Sequence, residues 1–158
     1  MTYDAILFNL MSSYGAFDVA SLMAFISNAA FVLIVLSFIP IASKGRQGII
    51  DYLALMLAAV SISIVLQQFF AVPRPPGAIN AGSPYSFPST HSTSSFAWAG
   101  FMGRNYGRYK GLYYVFAALV AVSRVYLGVH YPADVVAGGV LGLVISYKLA
   151  ARRGCGLF

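Results

Sequence analysis

Long apolar stretches separated by short polar ones make up most of the chain. A helix needs roughly 20 apolar residues to cross the hydrocarbon of a bilayer. The pattern predicts five spans, at about residues 19–42, 49–70, 91–102, 112–127 and 133–150. The apolar stretch 3–11 is too short to span, so it predicts an N-terminal interfacial helix. The expected fold class is all-α: a polytopic transmembrane helical bundle of about five spans, forming one domain over residues 1–158.

Composition supports a lipid environment. Hydrophobic residues make up 59% of the chain and charged residues only 9%, whereas a soluble domain carries about 25% charged residues. The net charge of +6 would suggest nucleic acid in a soluble protein, but here the position of the charges is more informative. The expected partners are therefore the phospholipid bilayer and a membrane lipid, with no nucleic acid. The sequence gives no indication of oligomeric state.

Basic residues indicate the orientation of the spans. Eight of the ten Lys and Arg residues follow the first, third and fifth spans: Lys44, Arg46, Arg104, Arg108, Lys110, Lys148, Arg152 and Arg153. By the positive-inside rule that side is cytoplasmic. The chain is therefore expected in the plasma (inner) membrane, with its C-terminus on the cytoplasmic side. Arg74 and Arg124 remain at the outer ends of spans, where anion binding would explain them.

The loop before the third span carries further polar chemistry. Residues 72–88 contain five prolines, which restrict the chain and predict a shaped wall or lid. Ser89 and Thr90 directly precede an apolar helix and are predicted N-caps. A helix start is also an anion site, so these residues could cap the helix, hold an anion, or do both. His91 would face that anion from the first turn.

The segment from Ser123 to Asp134 is the richest in chemistry. Pro132 suits the first turn of a helix, and Asp134, four residues after His130, can reach the imidazole. A carboxylate beside one ring nitrogen leaves the other free as a nucleophile. The alternative is a buried pair that serves packing alone, although ionisable groups in membrane segments are usually functional. Three glycines in the fifth span predict close helix contact: Gly138, Gly139 and Gly142.

Together these residues follow three motifs in order, and the chain resembles the type 2 phosphatidic acid phosphatase superfamily, which includes bacterial undecaprenyl-diphosphate phosphatases. The family pattern is Lys, six residues, Arg-Pro; then Pro-Ser-Gly-His; then Ser-Arg, five residues, His, three residues, Asp. The third motif is complete here, from Ser123 to Asp134. Two positions depart from the pattern: Gln67 stands for the Lys and Thr90 for the Gly.

The resemblance implies a metal-independent phosphatase. His130 would attack phosphorus and form a phosphohistidine, Asp134 would orient it, and His91 would protonate the leaving oxygen. The phosphate oxygens would be held by five further residues: Arg74, Arg124, Ser89, Thr90 and Gln67. No metal or other cofactor is expected, because the four acidic residues of the chain are scattered and form no cluster of the kind that Mg²⁺ prefers.

The expected substrate is an isoprenoid diphosphate of the undecaprenyl type, dephosphorylated at the extracytoplasmic face. Phosphatidic acid, phosphatidylglycerol phosphate and lipid A stay open, as does transfer of the phosphate to another lipid. Two non-phosphatase alternatives are a haem protein ligated by His91 and His130 and a lipid- or anion-binding relative that has lost catalysis. The absence of the motif Lys at Gln67 makes the second of these more plausible.

Overall fold

The computed structural model describes residues 16–78 and 83–151, where the regular secondary structure is helical, with one isolated β-bridge between Pro73 and Tyr85. A 3₁₀ turn, Gly107–Tyr109, precedes the fifth helix. The helices are α1 Ala16–Leu36, α2 Phe38–Ala42, α3 Gly45–Phe70, α4 Thr90–Asn105, α5 Lys110–Tyr126 and α6 Pro132–Ala151. The all-α prediction is confirmed. The predicted interfacial helix at 3–11, and Arg152 and Arg153, lie outside the described residues.

The first predicted span is interrupted at Ser37, between α1 and α2. The Ser37 hydroxyl donates to the carbonyl of Leu33 at 2.7 Å and accepts a 2.8 Å hydrogen bond from the indole N–H of Trp98. Hydroxyl bonds of this kind to a preceding carbonyl bend helices. Pro40 adds to the effect, because it has no N–H to continue the helical ladder.

Among the residues that the structure describes, three segments are long and apolar enough to cross a membrane: Val19–Ala42, Gly45–Phe70 and Pro132–Leu149. The other two predicted spans are shorter, since α4 has 16 residues and α5 has 17. The α4 helix packs most extensively against α6, and next against α5 and α3. Because its neighbours separate it from lipid, α4 tolerates buried polar residues such as Ser92, Thr93 and Ser95.

Helices α4 and α6 approach closely at the glycines of α6, as the sequence predicts. A Cβ atom on Gly138 would lie 2.6 Å from the carbonyl oxygen of Ser89, and one on Gly142 would overlap the backbone of Thr93. The Ser92 hydroxyl also donates to the carbonyl of Val135 at 2.6 Å. These contacts bring the N-terminal ends of α4 and α6 together.

Apart from Arg74 and Arg124, the basic residues that the structure describes lie toward the other end of the bundle. Lys44, after α2, donates to the carbonyl of Asn105 at the end of α4 at 3.3 Å. Arg104 donates to the carbonyl of Ser146 near the end of α6, also at 3.3 Å. The two ends of the bundle therefore differ in charge and in chemistry, as expected from the sequence.

Candidate active site

The candidate site is built where α3 and α5 end and where α4 and α6 begin. Helix α3 stops at Phe70 because Ala71 adopts a left-handed conformation, with φ of 47°. The chain then folds back on itself, and the Ser86 N–H donates to the carbonyl of Val72 at 2.8 Å. The described parts of this loop thus form an ordered wall, in keeping with its proline content; residues 79–82 lie outside the description.

His130 lies in the loop between α5 and α6, and only 4% of its surface is exposed. Its Nε2 atom is 3.2 Å from Nη1 of Arg74. A guanidinium can only donate, so Nε2 is the acceptor and the proton of the neutral ring is on Nδ1. The reactive lone pair therefore points toward Arg74, on the side of the ring away from Asp134.

Asp134 lies behind the other ring nitrogen. Its Oδ2 atom is 3.4 Å from Nδ1 of His130, longer than a good N–H···O hydrogen bond. The same oxygen accepts the N–H of Tyr131 at 2.9 Å, which holds the carboxylate slightly away from the ring. The predicted pairing of His130 with Asp134 is present, but as a close contact in place of a closed hydrogen bond.

Burial, followed by the positive charges of Arg74 and Arg124, lowers the pKa of His130 to about 4, against the opposing effect of Asp134. A charged imidazole is disfavoured where water is excluded and two cations are near. The ring is consequently neutral at pH 7. Neutrality is what a nitrogen nucleophile requires.

Arg74 connects two loops of the site. Its Nε atom donates to the carbonyl of Ser83 at 2.6 Å, and its Nη1 atom donates to the carbonyl of Val129 at 2.7 Å. Together with its contact to His130, these bonds fix the guanidinium beside the imidazole. One cation is thereby held next to the candidate nucleophile.

Arg124, in the last turn of α5, is held from α1. Its Nη1 atom donates to the hydroxyl of Ser27 at 2.8 Å, and Ser27 is 3% exposed. Within residues 16–78 and 83–151, Nε of Arg124 has no hydrogen-bond partner. Ser27 was not predicted from the sequence, because nothing in the apolar span distinguishes its hydroxyl from those of Ser21 and Ser37.

Ser89 occupies the N-cap position of α4, but its hydroxyl makes no capping hydrogen bond. The capping prediction is therefore wrong for this side chain. Its backbone N–H donates to the carbonyl of Asp134 at 3.0 Å, which ties the start of α4 to α6. The hydroxyl is buried and has no hydrogen-bond partner among the described residues, so the site contains a fixed polar atom whose bonding capacity is unused.

Gln67 and Thr90 contact each other at the start of α4. The Nε2 atom of Gln67 donates to the carbonyl of Pro88 at 2.9 Å and to the hydroxyl of Thr90 at 3.1 Å. The two positions at which the sequence departs from the motifs are therefore in direct contact.

His91 follows in the first turn of α4, with an exposed side chain. The charges of Arg124, His130 and Arg74 act on it, which puts it in the same electrostatic environment as the candidate nucleophile. In the described parts of the chain, no three His, Cys, Asp or Glu side chains are grouped so as to hold a metal ion.

The family model of the PAP2 superfamily matches residues 48–153. The chain belongs to the PAP2 superfamily. The resemblance drawn from the three motifs is confirmed, and the matched range includes every candidate site residue. Membership of this family argues against the haem-protein interpretation, because that interpretation gives the arginines and the motif spacing no role.

Relatives of this PAP2 protein act on lipids. Decaprenylphosphoryl-5-phosphoribose phosphatase of Mycobacterium tuberculosis is 34% identical over 120 residues, which cover 73% of this chain and 66% of that protein. The chain thus spans slightly less than two thirds of that relative's length.

Two solved structures share the fold. The PAP2-type phosphatidylglycerolphosphate phosphatase of Bacillus subtilis superposes with a TM-score of 0.70 at 27% identity, over 89% of this chain and 79% of that one. LpxE of Aquifex aeolicus superposes with a TM-score of 0.71 at 20% identity, over 93% and 94% of the two chains. With three helices able to span and these neighbours, the PAP2 protein is a multi-pass membrane protein.

Proposed function

We propose that this PAP2 protein is a phosphatase of lipid phosphates or diphosphates and that it works through a phosphohistidine on His130. One observation carries the proposal. A buried, neutral imidazole directs the lone pair of Nε2 toward Arg74, while a carboxylate stands behind its other nitrogen. A nucleophile activated in this way and facing a cation fits attack on a phosphoryl group.

The reaction follows from the roles of these groups. Nε2 of His130 attacks phosphorus, the bond from phosphorus to the lipid oxygen breaks, and His91 gives a proton to that oxygen; the negative charge of the bound phosphate would keep His91 protonated for this step. Asp134 balances the positive charge of the phosphorylated ring. Water then attacks phosphorus and loses a proton to His91, and the N–P bond breaks to return the electron pair to His130 and release inorganic phosphate.

The phosphate oxygens would be held by Arg74, Arg124 and the hydroxyl of Ser89, where negative charge must be stabilised. Arg74 now donates to Nε2 of His130. A bound phosphate offers this guanidinium a stronger, charged acceptor, which would release the lone pair of Nε2 for attack. Ser89 and Arg124 each carry a polar atom without a partner in the described part of the chain, and the hydroxyl and the Nε–H are both able to donate to phosphate oxygens.

An isoprenoid diphosphate of the undecaprenyl type is the proposed substrate, because a phosphate site at the end of a small bundle suits a lipid whose tail stays in the bilayer. A phosphomonoester on a polyprenyl-linked sugar is the second candidate, favoured by the similarity to decaprenylphosphoryl-5-phosphoribose phosphatase. We propose that the site faces the extracytoplasmic side of the plasma membrane and that the C-terminus is cytoplasmic, because the described basic residues other than Arg74 and Arg124 lie toward the opposite end of the bundle.

A substrate panel tests the function. The purified protein, in detergent with EDTA present, is assayed for inorganic phosphate released from farnesyl diphosphate, phosphatidic acid, phosphatidylglycerol phosphate and lipid A. We expect the highest kcat/KM on the isoprenoid diphosphate and no loss with EDTA, because two guanidinium groups supply the positive charge. An obligatory divalent ion would contradict the metal-independent scheme. Phosphate recovered on an acceptor lipid in place of water would identify a phosphotransferase, and no turnover of any lipid would contradict the enzyme proposal.

The contact between Ser27 and Arg124 gives a separate prediction. Ser27→Ala removes the acceptor of a buried guanidinium, and a hydrogen bond to a charged group is worth roughly 1.5–3 kcal/mol. We expect kcat/KM to fall by about tenfold. Ser27→Thr, which keeps the hydroxyl, should retain most of the activity, and Ser21→Ala on the exposed face of α1 serves as the control. Full activity of Ser27→Ala would show that Arg124 needs no support from α1.

A further inference from the structure

Gln67 and Thr90 belong to separate helices and are joined through one amide nitrogen. Gln67 lies in the last turn of α3, and Thr90 is the first residue of α4. Gln67 is 3% exposed, and Pro88 is fully buried. The bonds from Nε2 to the Pro88 carbonyl and to the Thr90 hydroxyl therefore connect the end of α3 to the start of α4 inside the protein.

Both side-chain N–H groups of Gln67 already have acceptors. An amide nitrogen carries two hydrogens, and both have acceptors here, at 2.9 and 3.1 Å. The remaining polar atom of the side chain, Oε1, is an acceptor and has no hydrogen to offer a phosphate oxygen. Gln67 consequently lacks the donor that a phosphate ligand needs.

The turn that Gln67 contacts carries groups of the proposed mechanism. Ser89 lies between Pro88 and Thr90, and His91 follows directly. From the other side, the N–H of Ser89 is bound to the carbonyl of Asp134 in α6. The turn is thus held from α3 by Gln67, which bonds to the residues on either side of Ser89, and from α6 by Asp134, whose carbonyl binds the N–H of Ser89.

We propose that Gln67 and Thr90 form a neutral positioning pair, which holds the turn bearing Ser89 and His91 in its working position, and that Gln67 is not itself a phosphate ligand. This inference rests on the proposed phosphatase function. It changes the interpretation of the two motif departures: an amide and a hydroxyl that bond each other act as one unit. The fixed positive charge at the phosphate site then comes from Arg74 and Arg124.

A double-mutant cycle measures the pairing. Gln67→Met keeps the length of the side chain and removes both donors, and Thr90→Val keeps the branched shape and removes the acceptor. The full-length protein, the two single variants and the double variant are assayed for phosphate release from farnesyl diphosphate in detergent. We expect each single variant to lose about tenfold in kcat with KM changed less than about twofold, because Ser89 and His91 are displaced while the two arginines still bind the substrate.

The double variant should be no slower than about the slower single variant, because both changes break the same contact. Thr90→Ser retains the acceptor and should recover most of the activity that Thr90→Val loses. Gln68→Met is the matched control: Gln68 is the exposed neighbour of Gln67, and this variant should behave as the unmodified protein. Thermal unfolding of each variant reports whether the bundle is intact.

Three results would overturn the pairing. The first is a raised KM in Gln67→Met together with an unaffected Thr90→Val, which would make Gln67 a phosphate ligand. The second is additive losses in the double variant, and the third is equal impairment of Thr90→Ser and Thr90→Val. If Gln67→Met does not fold, the proposal is tested by comparing Thr90→Val with Thr90→Ser. Full activity of Thr90→Val would then contradict it. Normal activity of a His130→Ala variant would contradict the proposed phosphohistidine mechanism. The double-mutant cycle would still measure whether Gln67 and Thr90 act as a pair.

Discussion

Replacing His130 with alanine is expected to lower phosphate release by about a thousandfold or more while the bundle stays folded. In the proposed mechanism Nε2 forms the bond to phosphorus, and loss of a nucleophile leaves only the binding groups of a site to accelerate the reaction. The measurement is the initial rate of phosphate release from farnesyl diphosphate. Incubation with a lipid diphosphate carrying labelled phosphorus should also label the unmodified protein with an acid-labile phosphate, and His130→Ala should take up none.

The control for His130→Ala is the adjacent exposed residue Tyr131. Its backbone N–H binds Asp134, so Tyr131→Phe preserves that contact and alters only a side chain outside the proposed chemistry. We expect normal rates and normal labelling for this variant. Substantial activity in His130→Ala, or an acid-stable phosphoprotein, would eliminate His130 as the nucleophile.

Removing the charge of Arg74 has the second largest expected effect. Arg74→Met should lower kcat/KM by about a hundredfold or more, because it deletes one of the two guanidinium groups proposed to bind the transferred phosphate. Arg74→Lys restores the charge and should recover only part of this loss, since an ammonium lacks the planar fork that reaches Val129 and His130 together.

The pH dependence separates this role from a purely structural one. The positive charge of Arg74 lowers the pKa of His130, so its removal raises that pKa and protonates the nucleophile at higher pH. The acid limb of kcat/KM for Arg74→Met should therefore move to higher pH, and that of Arg74→Lys should stay close to the original. An unshifted acid limb in Arg74→Met would show that this guanidinium does not act on His130.

Local sequence carries much of this protein's architecture. Length and hydropathy of the apolar stretches predicted the all-α bundle, because burial of apolar side chains in lipid requires continuous helices of a given length. The motif spacing predicted the close approach of Asp134 to His130, because four residues make about one helical turn. The glycines of α6 predicted close contact with another helix, and the contact with α4 confirms it.

The spans of α4 and α5 show where local pattern is insufficient. The α4 helix has 16 residues and includes buried hydroxyl side chains, so neither its length nor its hydropathy marks it as the centre of the bundle. Its position depends on α3, α5 and α6 surrounding it, which is a property of the packed structure. The same packing decides that Ser89 leaves its hydroxyl unpaired in place of capping α4.

Local pattern and composition were enough to predict the helical fold class, the distribution of basic residues and the types of side chain that meet at one end of the bundle. The partners of those side chains follow from how the helices pack: Arg124 bonds to Ser27, 97 positions away, and Gln67 bonds to Pro88 and Thr90. The difference lies in the sequence separation of the residues that interact. Helix formation depends on residues three or four positions apart, whereas hydrogen bonds between helices depend on how all the helices pack together.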